Sequence, residues 1–190
     1  MPPLNTPVCD FGWQAPDFDL KDPDGNRVTL ADAMGENGLL VAFICNHCPY
    51  VKAIIGRLAE DARALRAEGI GVVAIMPNDY AAYPADAPDK MKAFAAEHGL
   101  DVPYLIDEDQ SVAKAYGAVC TPDFFGFDKT GGLQYRGRID DLTMGRAKMD
   151  DASNRVPELL NAMRAVAQTG AGPADQTPSM GCSIKWKDAA

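Results

Sequence analysis

Two long apolar runs flank an amphipathic segment in the first half of the chain. Residues 38–44 (GLLVAFI) and 70–76 (IGVVAIM) are almost wholly apolar, which is typical of strands buried on both faces. Between them, apolar residues recur at helical spacing, at Val51, Ile54, Ile55, Leu58, Ala62 and Leu65. Gly69 follows as a helix stop. The pattern predicts a β–α–β unit with a right-handed crossover, and therefore two parallel strands.

Turn residues and shorter apolar runs predict the remaining elements. The sequence KDPDGNR joins strands at 18–20 and 28–30, and DKTGG at 128–132 forms a second hairpin loop. The other predicted elements are strands at 102–106, 123–127 and 133–138, and helices at 88–98, 110–116 and about 156–168. Asp109 is the predicted cap of the helix at 110–116, and Pro157 suits the first turn of the last helix.

The end of the chain has a mixed character. Residues 170–174 (GAGPA) read as a linker, but Met180, Cys182, Ile184 and Trp186 follow within a few positions. That stretch is too apolar for a freely solvated end, so we expect the tail to pack back on the fold. The predicted organisation is one domain over residues 1–168 and a C-terminal extension over 169–190.

Composition and charge narrow the possible partners. The chain has 190 residues, 47% of them hydrophobic, which suits one compact domain. Its formal charge is −9 and it has no Lys/Arg cluster, so nucleic acid is not an expected partner. No apolar run reaches the length of a membrane span, and the first residues lack the pattern of a signal peptide. With an odd count of five cysteines, this predicts a reducing, cytoplasmic location rather than a secreted disulfide framework.

The main candidate for chemistry is the sequence ICNHCPYV, in which Cys45 and Cys48 lie between the first buried strand and the helix. A thiol reacts as its thiolate, and the backbone N–H groups at a helix start favour negative charge. His47, when protonated, would stabilise a thiolate further. We expect Cys45 to be the more exposed, attacking sulfur and Cys48 to be the buried, resolving one.

Two other interpretations of the motif remain open from the residues alone. The thiols and His47 could hold a metal in a metallochaperone-like module, although a structural zinc site usually needs four ligands and the chain has no second CxxC. The two cysteines could also be inert core residues. The strand–CxxC–helix–strand context favours a redox pair, which needs no bound cofactor or metal.

Several segments together resemble the thioredoxin-fold superfamily, and within it the redoxin group that includes the AhpC/TSA proteins. These are residues 15–30 (APDFDLKDPDGNRVTL), CNHCPYV, residues 119–132 (VCTPDFFGFDKTGG), YRGRIDD and GCSIKWK. The whole set is similar to peroxiredoxin-like proteins that carry a thioredoxin-type CxxC. The resemblance implies an α/β fold with a central mixed sheet of four or five strands, flanked by helices and preceded by a β-hairpin.

The resemblance also implies a site. The Thr121–Pro122 bond would be cis, with Thr121 facing the sulfurs and the loop binding substrate through its backbone. The substrate would be a protein or small-molecule disulfide, or a peroxide, and a thiol reductant would recycle the enzyme. The predicted function is therefore thiol–disulfide exchange through Cys45 and Cys48, with thiol-dependent peroxidase activity as the alternative.

This chain departs from the family pattern in two places. Where a peroxiredoxin has the threonine and proline before its peroxidatic cysteine, this sequence has Cys45 and Val41. The buried acid that thioredoxins carry before the motif is absent from GLLVAFI, so another group must handle the proton of the resolving thiol. Cys120 and Cys182 are possible auxiliary thiols, and a bridge between them could hold the tail.

Overall fold

The computed structural model describes residues 3–142 and 154–187. The strands are β1 (Leu4–Asn5), β2 (Asp19–Lys21), β3 (Arg27–Thr29), β4 (Leu39–Phe43), β5 (Gly71–Met76), β6 (Tyr104–Ile106), β7 (Cys120–Thr121), β8 (Asp123–Phe127), β9 (Leu133–Tyr135) and β10 (Met180–Ser183). The α-helices are α1 (Leu30–Ala33), α2 (Pro49–Ala67), α3 (Pro88–His98), α4 (Ser111–Tyr116) and α5 (Glu158–Thr169), and a 3₁₀ turn covers Pro84–Asp86. None of the helices in these two ranges is long and apolar enough to cross a membrane.

The central sheet is mixed and has the strand order β3-β2-β6-β5-β4-β8-β9 within the described ranges. Strands β4 and β5 pair in parallel, which confirms the predicted β–α–β unit. The sheet is wider than the implied four or five strands because the β2–β3 hairpin joins its edge through Lys21, opposite Ile106. A smaller antiparallel sheet has the order β1-β10-β7.

The sheet separates two hydrophobic cores. Alternate side chains of β4 point to opposite faces, so Leu40 and Ala42 join one core, and Leu39, Val41 and Phe43 join the other. Helices α2, α3 and α5 supply the first core, and α4 and the segment around Trp13 cover the second. This two-sided burial explains the continuous apolar pattern of β4 and β5.

Most predicted helix boundaries agree with the structure. Helix α3 spans Pro88–His98 as predicted, and Gly99 follows with a φ of 63°. The cap of α4 differs from the prediction, because Gln110 occupies the cap position without a side-chain cap bond. The buried Asp107 carboxylate instead accepts hydrogen bonds from the N–H groups of Val112 (3.3 Å) and Ala113 (2.7 Å). Asp109 only closes a local turn to Ser111.

Two further elements are shorter than predicted. Strand β9 ends at Tyr135 because the next N–H groups bond to the tail, that of Arg136 to Gln176 Oε1 (2.8 Å) and that of Arg138 to the Thr177 carbonyl (2.8 Å). Helix α5 begins at Glu158, with Pro157 just before it. The tail does pack back on the fold, since β10 lies between β1 and β7. The division into residues 1–168 and 169–190 stays a prediction.

Candidate active site

The two cysteines of the motif lie where the buried strand gives way to the helix. Cys45 comes two residues after β4, and Cys48 is the residue that caps α2, with Pro49 in the first turn. Their side chains are 1% and 0% exposed, respectively. The expectation that Cys45 would be the more exposed sulfur is therefore wrong. Loops and strands from elsewhere in the fold cover both thiols.

Thr121 is part of that cover. The Thr121–Pro122 peptide bond is cis, as predicted. Thr121 Oγ1 lies 3.3 Å from Cys45 Sγ, and the Thr121 carbonyl oxygen lies 3.1 Å from Cys48 Sγ. Strand β7 thus places one residue in contact with both sulfurs, and Thr121 faces the pair as the resemblance implied.

The surroundings of the two thiols favour charge on Cys48. The thiol of Cys45 lowers the pKa of Cys48 to about 5, against the opposing effect of burial. The thiol of Cys182 and the backbone N–H groups of Val51 and Cys182 lower it further. The pKa of Cys45 is raised, because it interacts with Cys48, is buried and lies near the Asp86 carboxylate. Of the two sulfurs, Cys48 is therefore the one whose surroundings favour the thiolate.

A buried carboxylate, Asp86, organises the other side of the motif. It accepts hydrogen bonds from the Asn46 N–H (2.8 Å) and the Asn78 side-chain amide (2.8 Å), and His47 Nδ1 lies 2.7 Å from Asp86 Oδ2. Burial alone would raise the pKa of Asp86, but the hydrogen bonds from His47, Asn78 and Asn46 leave it below its ordinary value. The His47 ring stacks on Tyr83 with the centroids 5.8 Å apart.

Sequence reasoning missed Asp86. It lies in a polar, alanine-rich stretch nearly forty positions after the motif, with no spacing or flanking pattern that points to the cysteines. Only the folding of the loop after β5 brings it to the site. Asp86 supplies the buried acid that the sequence before the motif lacks.

One group of side chains in the described ranges has the chemistry of a metal site. The ligand atoms of Cys45, His47 and Asp86 lie within 4.8 Å of one another. The His47 and Asp86 atoms already bond to each other, and Asp86 is also saturated by Asn46 and Asn78. The set holds three ligands rather than the four of a structural zinc site.

The other two candidate thiols, Cys120 and Cys182, lie on opposite sides of the β7–β10 ladder. In the β7–β10 ladder, Cys182 lies opposite Thr121, and Ser183 lies opposite Cys120. Residues opposite each other share a face, so Cys182 points to the side of Thr121, and Cys120 points to the other side. Cys120 Sγ is 3.7 Å from the Pro122 carbonyl oxygen. The hypothesised bridge between Cys120 and Cys182 does not fit this register.

Comparisons with known proteins agree with the architecture. The AhpC/TSA family profile matches residues 11–136. A conserved protein from Geobacillus kaustophilus has a crystal structure with a TM-score of 0.89 and 41% identity, covering 100% of this chain and 99% of that one. A putative peroxiredoxin of Mycobacterium tuberculosis is 30% identical over 115 residues, covering 60% of this chain and 68% of the relative. The thiol-disulfide oxidoreductase ResA of Bacillus subtilis is 25% identical over 114 residues, covering 60% and 59%.

These relatives fall into the two enzymatic classes that the motif predicts. One is named for peroxiredoxin chemistry and one for thiol–disulfide exchange. Neither they nor the family match supports the metal-binding hypothesis. The central mixed sheet flanked by helices is the thioredoxin-like fold, and the chain is an oxidoreductase.

Proposed function

Because the chain belongs to the AhpC/TSA family, we propose that it is a thiol–disulfide oxidoreductase whose redox centre is the Cys45–Cys48 pair. The observation that carries the proposal is that Thr121 contacts both sulfurs of the motif, Cys45 Sγ through its hydroxyl and Cys48 Sγ through its carbonyl oxygen. That arrangement provides both sulfurs of an exchange reaction: one nucleophile and one resolving thiol.

We propose an order of attack in which Cys48 is the nucleophile, the reverse of the order expected from the sequence. The Cys48 thiolate attacks one sulfur of a substrate disulfide, and the other sulfur leaves as a thiol after taking up a proton. Cys45 then loses its proton and attacks Cys48 Sγ, which forms the Cys45–Cys48 disulfide and releases the second substrate thiol. The His47–Asp86 pair lies beside Cys45 and is placed to take that proton. His47 and Asp86 are positioning residues in this scheme: they lie close to Cys45, and the Asp86 charge raises its pKa.

The cover over the pair suggests how substrate is held. The Thr121 carbonyl lies beside Cys48 Sγ, and Pro122, Tyr50 and Ile54 are among the residues that line a neighbouring cavity of about 540 Å³. A protein or small-molecule disulfide with an apolar flank fits this surface, with Thr121 and Pro122 as binding residues. An external thiol would recycle the enzyme, and the proposed reducing, cytoplasmic location would supply one.

The test is the reduction of insulin disulfides with dithiothreitol as the reductant. Wild-type protein is expected to accelerate the reaction. Turnover should fall to the uncatalysed rate in Cys48→Ser, and well below the wild type in Cys45→Ser. Cys9→Ser is the control, because Cys9 is half-buried and interacts with Gln176 rather than with the pair. Full activity in Cys48→Ser or in Cys45→Ser would contradict the proposal.

Peroxidase activity is the second candidate, favoured by the low pKa of Cys48 and by a hydroxyl that reaches the site from β7. Thr121 Oγ1, 3.3 Å from Cys45 Sγ, offers a donor that the motif itself lacks. In that reaction the Cys48 thiolate takes one peroxide oxygen as a sulfenic acid, and Cys45 displaces it as water to form the same disulfide. Consumption of dithiothreitol that depends on hydrogen peroxide and on Cys48 separates this candidate from disulfide exchange.

A further inference from the structure

The tail strand β10 brings a third sulfur to the redox pair. Cys182 lies opposite Thr121 in the β7–β10 ladder, and Thr121 contacts both Cys45 and Cys48. The side chain of Cys182 packs against the same hydrophobic cluster that contains both cysteines. Cys48 therefore has a thiol neighbour on each side, Cys45 from its own loop and Cys182 from the tail.

The three thiols differ in access. The side chains of Cys45 and Cys48 are 1% and 0% exposed, whereas Cys182 is half-buried. A small external thiol that approaches this part of the fold therefore meets Cys182 before either sulfur of the Cys45–Cys48 disulfide. Among these three described cysteines, Cys182 is the most accessible to solvent.

The tail is also held firmly in this position. The Lys185 N–H donates to Asn78 Oδ1 (2.9 Å), and the Asn78 amide donates to Asp86 (2.8 Å). Gln110 Nε2 donates to the Lys185 carbonyl (2.8 Å). Through Asn78, the Lys185 backbone is thus connected to the Asp86 carboxylate that also contacts His47. Strand β10, which carries Cys182, is therefore held by its pairing with β1 and β7 and by the hydrogen bonds of Lys185 just after it.

We propose, with the proposed function as premise, that Cys182 is a third redox thiol that forms a disulfide with Cys48 and relays electrons from an external thiol to the buried pair. In the first step the Cys182 thiolate attacks Cys48 Sγ of the Cys45–Cys48 disulfide. The Cys48–Cys182 bond forms, the Cys45–Cys48 bond breaks, and Cys45 leaves as a thiolate that takes up a proton.

The external thiol completes the relay at the accessible sulfur. Its thiolate attacks Cys182 Sγ, a mixed disulfide forms on Cys182, and Cys48 leaves as a thiolate. A second external thiolate attacks the external sulfur of that mixed disulfide and releases Cys182. Two external thiols become one external disulfide, and the protein disulfide becomes two reduced cysteines, so atoms and electrons balance.

The pKa values in the site suit the attack of the external thiol on Cys182. The low pKa of Cys48 makes it a good leaving group when Cys182 is attacked. In the reduced protein, burial and then the neighbouring Cys48 raise the pKa of Cys182 to about 11, while Lys185 lowers it. Once Cys48 is in a disulfide its charge is gone, so Cys182 loses one cause of its raised pKa when it must attack.

The direct test maps disulfides in the full-length protein. Trypsin releases Cys45 and Cys48 in one peptide, residues 28–52, and Cys182 in another, residues 165–185. A Cys48–Cys182 bond joins the two peptides, whereas a Cys45–Cys48 bond stays within one. After mild diamide oxidation, Cys45→Ser is expected to yield the cross-linked pair of peptides. Recovery of residues 165–185 as an alkylated free thiol would overturn the inference.

The second readout is the rate at which reduced glutathione reduces the oxidised protein. We expect Cys182→Ser to slow it about tenfold or more, because the buried disulfide loses its more accessible exchange partner. Cys120→Ser is the matched control, since Cys120 lies on the neighbouring strand, is buried and is on the other side of the ladder from Cys182. Equal rates in wild type and Cys182→Ser would overturn the relay.

The two proposals fail in different ways. If oxidised wild-type protein has no bond within residues 28–52 and does not reduce insulin disulfides, the proposed function itself is wrong. If that bond forms and insulin is reduced, but no Cys182 linkage appears in Cys45→Ser, only the relay is wrong.

Discussion

At the scale of single residues, the pKa values of two thiols three positions apart, Cys45 and Cys48, are shifted in opposite directions. Both are buried, so solvent exposure does not distinguish them. Hydrogen bonds from the thiols of Cys45 and Cys182 and from the Val51 N–H lower the pKa of Cys48. The nearby Asp86 carboxylate helps to raise the pKa of Cys45. Hydrogen bonds to a thiolate and nearby charges shift pKa values in these opposite directions.

The first prediction concerns the titration of the reduced protein. Its thiolate absorbance is expected to show one cysteine with a midpoint near pH 5, and Cys48→Ser should remove this step. Cys45→Ala should raise the midpoint by about 1–2 pH units, the equivalent of one lost hydrogen bond to a charged group. A wild-type midpoint at the value of a free cysteine, about 8.5, would contradict the assignment.

The same prediction extends to stability, because the pKa shift of Cys48 makes the free energy of unfolding depend on pH. The pKa of Cys48 in the fold, about 5, lies below its ordinary value of 9.0, so the unfolded chain binds the extra proton between those values. The stability that this thiolate adds to the reduced protein is complete above pH 9.0 and is lost as the pH falls through about 5. Urea unfolding of reduced wild type and Cys48→Ser should show a difference that grows with pH across this window.

At the scale of elements, the short strand β10 decides how closely the tail approaches the pair. Gly181 pairs with Leu4 on one side, and on the other its Cα lies against β7. A Cβ there would overlap the Thr121 carbonyl oxygen and lie 2.9 Å from Pro122 N, both backbone atoms that cannot move aside cheaply. The absence of a side chain at Gly181 is therefore what lets β10 place Cys182 beside Cys48.

The second prediction is that Gly181→Ala separates β10 from β7. We expect a loss of about 1–3 kcal/mol in the free energy of unfolding from overpacking, and an upward shift of the Cys48 midpoint as the Cys182 contact weakens. The control is Gly56→Ala in α2, where a new Cβ meets no atom within 4 Å. That change should stabilise the protein by up to about 1 kcal/mol. An unchanged Cys48 midpoint in Gly181→Ala would contradict the role given to this contact.

At the scale of the whole molecule, the tail belongs to both cores of the sheet. Cys182 packs with the core under α2, and Ile184, 3% exposed, belongs to the core on the other face. Trp186, by contrast, is 40% exposed, with Lys114 Nζ 5.8 Å from its ring centre. Ile184 therefore anchors the tail, and with it the contacts to Asn78 and Cys48.

The third prediction tests this anchor by urea unfolding. Ile184→Ala should lower the free energy of unfolding by about 2–5 kcal/mol, since it removes a buried side chain and leaves a cavity. Trp186→Ala is the control and should change it by no more than about 0.5 kcal/mol, as expected of a surface position. A larger loss in Trp186→Ala than in Ile184→Ala would show that Trp186, not Ile184, anchors the tail.

The sequence by itself determined the β–α–β unit, the place of the CxxC motif at its centre and the cis bond before Pro122. These depend on local patterns: continuous apolar runs, helical spacing with glycine stops, and a family-like loop. It could not determine exposure, register or charge at the motif, because those depend on residues far away in the chain. Folding the loop after β5 brings Asp86 to His47, and the pairing of β10 with β7 brings Cys182, not Cys120, to Cys48. A thiol's pKa is set by its neighbours in space, so only the tertiary structure decided the direction in which each cysteine's pKa is shifted.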